Sequence, residues 1–267
     1  MAENIVIKCS IMINGYEMKY ARFGAGEQAV VIIPGLNLGS VVDSADAVAL
    51  QYKIIADRFS VYLFDRKNIS DSKYSIYDMA SDTAEAMKIL DLKSVYLFGA
   101  SQGGMISQVI AARFQELVSK LVICSSASAM NENAYSVIKN WAAYAENGNI
   151  EKLCKDFLLN VYSESFADKY GDAITEMYSN IPADELIKFS CFAKACFDFD
   201  ITSELSGIKC PSLVIGAEND KIFGKEEPLR TAGLLGCDCY IYPAPYGHAV
   251  YDEAEDFTER LYEFFIK

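Results

Sequence analysis

The sequence predicts an α/β protein with a mostly parallel sheet of eight strands, helices on both faces, and a helical insertion after the sixth strand. Three observations carry this reading. Apolar, β-prone runs alternate with helix-length stretches at βαβ spacing through the first half of the chain. One of these runs, from Val95 to Ala100, passes through Gly99-Ala100-Ser101-Gln102-Gly103 into the helix-compatible segment Met105 to Phe114, giving strand, sharp turn and helix in succession. Between residues 129 and 206 the alternation stops, and four helix-length segments follow with no strand among them.

Taken in order, residues 4–13 and 16–23 are β-rich and flank Asn14-Gly15, a dipeptide in which both positions tolerate positive φ, so they predict a hairpin. Ala29 to Ile33 is apolar throughout, as a strand buried on both faces should be. In the loop that follows, Pro34-Gly35-Leu36-Asn37-Leu38-Gly39, backbone N–H groups can face a cavity. Residues 44–58 predict one helical stretch, and Val61 to Phe64 a second buried strand ending at Asp65-Arg66. From Tyr77 to Leu90, Met79, Ala80, Ala84, Met87 and Leu90 recur at helical spacing.

The turn at Ser101 is tight enough to need glycine on either side, and it leaves the hydroxyl exposed at the carboxyl end of its strand. Val118 to Cys124 is the next apolar strand. The insertion divides near 133–147, 149–162, 164–179 and 183–197, with Gly148, Gly171 and Pro182 as punctuation, and its many aromatics are read chiefly as packing residues. Sheet rhythm resumes at Pro211 to Gly216, then a polar loop holding Glu218 and Asp220, a helix near 226–235, a strand from Cys239 to Tyr242, the loop 243–250 and an amphipathic helix over 252–266. The expected organisation is a core of residues 1–128 and 207–267 and a helical cap of residues 129–206.

Composition narrows the function. A formal charge of −13 argues against nucleic acid or an anionic membrane surface as partner. Eight cysteines are scattered, several in apolar runs where a thiol behaves as a small hydrophobe, so neither a disulfide framework nor pairing is expected. With a single histidine, no zinc constellation can form around Cys237-Asp238-Cys239. Met1-Ala2-Glu3-Asn4 lacks the basic region of a signal peptide and no apolar run approaches a membrane span, so the cytoplasm is the expected compartment.

One constellation carries chemistry. A serine is a poor nucleophile until a base takes its proton, and the base needs an acid to hold its tautomer. His248 is the sole histidine and lies in a Gly/Pro-rich loop after the last strand; Asp220 also follows a strand. In a parallel sheet Ser101, Asp220 and His248 reach the same edge, in the chain order Ser, Asp, His. Glu218 sits two residues before Asp220, and spacing alone leaves both as candidates for the acid.

The chain resembles the α/β-hydrolase fold superfamily, in its capped, cofactor-free group of esterases, lactonases, aminopeptidases, perhydrolases and C–C bond hydrolases. The resemblance is carried by Ile32-Ile33-Pro34-Gly35, by Phe98 to Met105, by Cys210 to Asp220 and by Gly247-His248-Ala249, and spans nearly the whole chain. It implies an oxyanion hole made by the backbone N–H groups of Leu36 and Gln102, places the acid at Asp220 and implies no cofactor or metal; it does not specify the substrate, and the small acyl compound expected here follows from an insertion that would roof a pocket of limited size. Where related proteins often carry His-Gly before the oxyanion residue this chain has Pro34-Gly35, and after Asp65-Arg66 the usual Gly-x-Gly is Lys67-Asn68-Ile69, so that loop is expected to differ in shape. The expected activity is hydrolysis of an ester, thioester or lactone. The alternatives are a slow ligand receptor on the same fold, or C–C bond hydrolysis or acyl transfer by the same triad.

Overall fold

In the computed structural model, which describes residues 5–69, 73–178 and 181–267, eight strands form one sheet in the order β1-β2-β4-β3-β5-β6-β7-β8. The strands are β1 (Ile7–Ile13), β2 (Tyr16–Phe23), β3 (Ala29–Ile33), β4 (Ser60–Phe64), β5 (Val95–Ala100), β6 (Val118–Cys124), β7 (Ser212–Ala217) and β8 (Asp238–Tyr242). The hairpin β1–β2 is antiparallel, turns at Asn14 and Gly15 with φ of 45° and 83°, and joins β4 antiparallel; from β4 to β8 every pairing is parallel. The calls on Met1–Asn4 and on residue 179 fall outside the described residues.

The helices are α1 (Ala45–Gln51), α2 (Lys53–Ala56), α3 (Ile76–Ile89), α4 (Gln102–Arg113), α5 (Glu132–Glu146), α6 (Ile150–Val161), α7 (Glu164–Tyr178), α8 (Ala183–Lys194), α9 (Glu226–Leu235), α10 (Val250–Glu253) and α11 (Phe257–Ile266). Alternation along the strands feeds two cores. In β5, Val95 and Leu97 pack with α3 and α4 on one face, while Phe98 and Ala100 pack with α1, α2 and α11 on the other. Two expected helices are each broken in two. The stretch 44–58 divides at Tyr52, whose backbone leaves the helical region (φ −94°, ψ 27°) as its buried ring lies against Phe98. The C-terminal stretch divides where Ala254 turns extended (φ −86°, ψ 120°). Ser75 caps α3 by accepting from the Asp78 N–H, and the Asp78 carboxylate accepts from the Ser75 N–H in return.

After β6 the chain runs through α5 to α8 and comes back beside its own departure point. Ile201 N–H donates to Ser128 O at 2.9 Å and Met130 N–H to Phe199 O at 3.0 Å, so this helical excursion enters and leaves through one backbone staple. No helix among the described residues is long and apolar enough to cross a membrane.

The approach of α4 to the sheet sets the geometry of the β5–α4 turn. A Cβ on Gly103 would overlap the carbonyl oxygen of Ile33 at the end of β3, so only glycine lets the helix start this close. Gly103→Ala should therefore cost about 1–3 kcal/mol by urea unfolding. Gly171→Ala in α7, where the new methyl meets only Leu158 Cδ1 at 3.6 Å, should be neutral or stabilising by up to ~1 kcal/mol. Equal effects at the two positions would contradict this account of the turn.

Candidate active site

Ser101 is the residue between β5 and α4, and its backbone sits at φ 53° and ψ −121°. L-residues rarely occupy this region, at a cost of about 1–3 kcal/mol, so surrounding bonds must hold it there. The Ser101 N–H donates to Cys124 O on β6 at 2.9 Å; its carbonyl accepts from Gly104 N–H at 2.9 Å and from the Ser126 hydroxyl at 2.7 Å. Side chain and helix N-terminus are thereby turned to the same side.

Because β5 to β8 are parallel, the loops after β5, β7 and β8 leave from one edge. On that edge His248 Nδ1 lies 2.9 Å from Asp220 Oδ2, both side chains being buried. A carboxylate only accepts, so Nδ1 carries the proton and Nε2 remains able to take one. The other oxygen, Asp220 Oδ1, accepts from the N–H groups of Ile222 (2.8 Å) and Phe223 (3.1 Å), which fixes the carboxylate plane. Glu218, by contrast, is exposed and engaged with Lys225 Nζ and the Ala244 N–H. Thus the acid beside His248 is Asp220, which spacing alone left open. The histidine loop is tied down in turn by Ala249 N–H donating to Val161 O at 2.8 Å, at the end of α6.

Leu36 is buried in the loop after β3, whose neighbouring Gly35 lies so close to Ser101 that an added Cβ would stand 3.0 Å from the Ser101 Cβ. Gln102 opens α4, where helix geometry gives its N–H no acceptor within the helix. Its side chain points elsewhere, donating to Phe192 O at 2.6 Å and Cys196 Sγ at 3.1 Å and so linking the turn to α8.

Two residues at the end of β4 pin the β3 loop, a role that the sequence did not disclose. Arg66 donates to Pro34 O (2.6 Å), Gly35 O (3.0 Å) and Asn37 Oδ1 (3.1 Å), while Asp65 accepts from Val41 N–H (2.8 Å) and the Ser40 hydroxyl (2.5 Å). Holding the Pro34 and Gly35 carbonyls on one side leaves the following amides for the other. Burial pulls the Arg66 guanidinium down to about 10, still charged at neutral pH. Beyond it, Lys67 lies over the Tyr16 ring at 4.8 Å, and residues 70–72 of the same loop are outside those described.

A cavity of about 240 Å³ starts at Gly35 and Leu36 and extends between α1 and the insertion helices, walled by Tyr52, Phe98, Phe157, Tyr162, Tyr178 and Tyr251. Among the described residues it contains one acid, Asp252. Asp252 keeps a good part of its surface accessible, yet protein surrounds it on nearly all sides, because the space it faces is the cavity. That burial pushes its carboxyl up to about 6, with the neighbouring Glu253 adding to the rise and the Gln51 and Tyr162 donors opposing it. Sequence reading missed Asp252 because the stretch 252–266 reads as one surface helix.

A mostly parallel sheet that presents a strained serine, with a buried His–Asp pair on the same edge, defines a class of α/β proteins suited to nucleophilic chemistry. A sequence profile of the alpha/beta hydrolase fold matches residues 28–255. The chain belongs to the alpha/beta hydrolase fold family, and its named relatives are hydrolases. It is 23% identical over 228 residues to the serine hydrolase BPHL of Mus musculus, covering 81% of this chain and 72% of that one. Among solved structures it is similar to the enol-lactonase of Burkholderia xenovorans LB400 (TM-score 0.84, 17% identity, 97% and 100% covered). MGS-M2, an alpha/beta hydrolase from a Medee basin deep-sea metagenome library, superposes with a TM-score of 0.86 at 19% identity over 97% and 98% of the two chains.

The raised Asp252 carboxyl has a consequence for stability. The folded chain holds this proton more tightly than the unfolded chain, so the stabilisation is complete below the ordinary aspartate value and is lost as pH rises through about 6. Asp252→Asn should therefore raise the Tm at about pH 8 and give a smaller gain at about pH 5. Thermal scans of both proteins at the two pH values check this, and an equal or larger gain at the lower pH would contradict it.

Proposed function

We propose that the protein is a serine hydrolase that cleaves a small acyl compound, a carboxylic ester, thioester or lactone, through Ser101, His248 and Asp220. The observation that carries this reading is the buried 2.9 Å bond from His248 to Asp220 on the sheet edge where Ser101 is held strained. Ser101 Oγ attacks the carbonyl as His248 Nε2 takes its proton, and Asp220 stabilises the imidazolium so formed. The N–H groups of Leu36 and Gln102 receive the oxyanion, helped by the positive end of α4 and by the Arg66 charge behind the loop. His248 then protonates the leaving group and activates the water that frees the acyl group.

In this reading residues 1–128 and 207–267 form the catalytic core, and residues 129–206 roof it and exclude water. A cavity of about 240 Å³ suits a short or medium acyl chain or a single ring. Hydrolysis is also in keeping with the names of relatives, which include a serine hydrolase, putative carbamate hydrolases and an enol-lactonase.

A fluorophosphonate probe should add to Ser101, and Ser101→Ala should abolish the adduct; intact-mass analysis showing no adduct, or one on another serine, overturns the assignment. For the acid, an amide removes the charge that supports the imidazolium and inverts the tautomer, a change that costs serine proteases about 10⁴-fold. Asp220→Asn should accordingly lose about three orders of magnitude or more in kcat on p-nitrophenyl butanoate, and Glu218→Gln less than about tenfold. Near-wild-type turnover by Asp220→Asn would remove Asp220 from the mechanism.

A further inference from the structure

The cavity that begins at Gly35, next to Ser101, is lined mostly by apolar and aromatic side chains with Asn37, Ser44 and Gln51 among them, and among the described residues its one charged group is a carboxyl. Gln51 Nε2 donates to Asp252 Oδ1 at 3.2 Å while also holding Tyr251 O at 2.9 Å, and the Tyr162 hydroxyl is a second donor beside the same carboxyl. The groups facing it from the elements around it are Gln51 and Tyr52 on the α1 side, Tyr162 and Tyr178 from the insertion, and Tyr251 and Glu253 on its own helix. None of these is a cation, and no lysine, arginine or histidine lines the cavity among the described residues. A carboxylate in such a place lacks the counter-charge that buried ions ordinarily have. It is nevertheless reached by the cavity and ringed by tyrosine and phenylalanine side chains, whose negative faces attract cations.

We infer that this cavity binds a substituted ammonium group, with Asp252 as the counter-charge and the surrounding aromatic rings as the cage, so that the preferred substrates are esters carrying a cationic amine. The inference rests on the reading of Ser101 as nucleophile and deepens it by naming the substrate class. Ser101 is not itself among the lining residues; Gly35 lines the cavity and lies against Ser101, which puts the proposed ammonium site next to the carbonyl under attack. The same arrangement disfavours anionic acyl groups, which would meet an acid with no cation to receive them. The net charge of −13 also favours the approach of cations over anions. The elevated Asp252 carboxyl fits an acid that lacks its partner: a bound cation would favour the ionised form and bring the carboxyl back down.

The test uses quaternary ammonium esters, whose charge does not change with pH, against carbon isosteres of the same shape. One pair places the charge in the alcohol (butanoylcholine and 3,3-dimethylbutyl butanoate), the other in the acyl group (p-nitrophenyl 4-(trimethylammonio)butanoate and p-nitrophenyl 5,5-dimethylhexanoate). For wild-type protein the ratio of kcat/KM, cationic over neutral, should be about tenfold or more in at least one pair, and Asp252→Asn should bring that ratio to about one. The ratio should also fall as pH drops through about 6, since any pH effect on the chemical step is shared by both members of a pair while protonation of Asp252 affects only the charged one. Ratios near one in both pairs for the wild type, or a preference that survives in Asp252→Asn, would overturn the inference. A binding arm keeps the two readings separate: hexyltrimethylammonium should raise the Tm of wild type and of Ser101→Ala but not of Asp252→Asn. If no ester of either kind is cleaved while this shift pattern holds, the hydrolase reading fails and the ammonium site stands; if the wild type shows no shift, the ammonium site fails whatever the esterase activity.

Discussion

The structure depends on the conformation of one residue. Ser101 lies in a backbone region that costs about 1–3 kcal/mol for an L-residue, and it stays there because it is over-determined by its neighbours. Bonds from Cys124, Gly104 and Ser126 fix its peptide groups, Gly103 lets α4 begin against the end of β3, and Gly35 closes the third side. These contacts come from the strands on either side of β5 and from its own helix. The central strands must therefore be in register before the turn can form, so the candidate site is a consequence of sheet assembly and not a loop added to it.

The same dependence explains why so much was readable from sequence. Strands buried on both faces are continuous apolar runs, and β3, with every residue buried, is the plainest case. The turn at Ser101 carries its own glycines, and a single histidine leaves no competing base. What escaped was set by long-range packing. Tyr52 ends α1 because its ring packs under Phe98, a contact across 46 positions that no local pattern contains. Arg66 was visible only as a residue at the end of a strand, since its partners are carbonyls, which have no side-chain signature. Asp252 was hidden for a different reason: periodicity placed it on a surface helix, whereas the break at Ala254 turns α10 so that it walls a cavity.

The insertion and the histidine loop are mechanically joined. Val161 at the end of α6 accepts from Ala249, and Ser163 N–H donates to Glu253 Oε1 at 3.0 Å, so the segment holding His248 and Asp252 is clamped between sheet and insertion. Gln102 ties the other end of the site to α8 through its side chain. An insertion attached in this way helps to fix the position of His248 as well as the shape of the cavity. Substitutions within α6 and α8 can then reach the chemistry through backbone position, without touching a substrate.

Asp252 is where stability and function pull apart. A surface helix would gain from any neutral residue there, and the cost of keeping an acid in a mostly apolar cavity is expressed in its raised carboxyl. A cation bound beside it, as inferred above, would supply the missing charge and offset that cost. The His248–Asp220 pair shows the opposite arrangement. Both oxygens of Asp220 are engaged from within, Oδ2 by His248 and Oδ1 by two backbone N–H groups, so its position is fixed by the fold. One aspartate is satisfied by the fold and holds His248; the other is left open by the fold and faces the cavity. The contrast between Asp220, in the loop after β7, and Asp252, in α10, separates the residues that would perform the reaction from the one that would choose what is reacted.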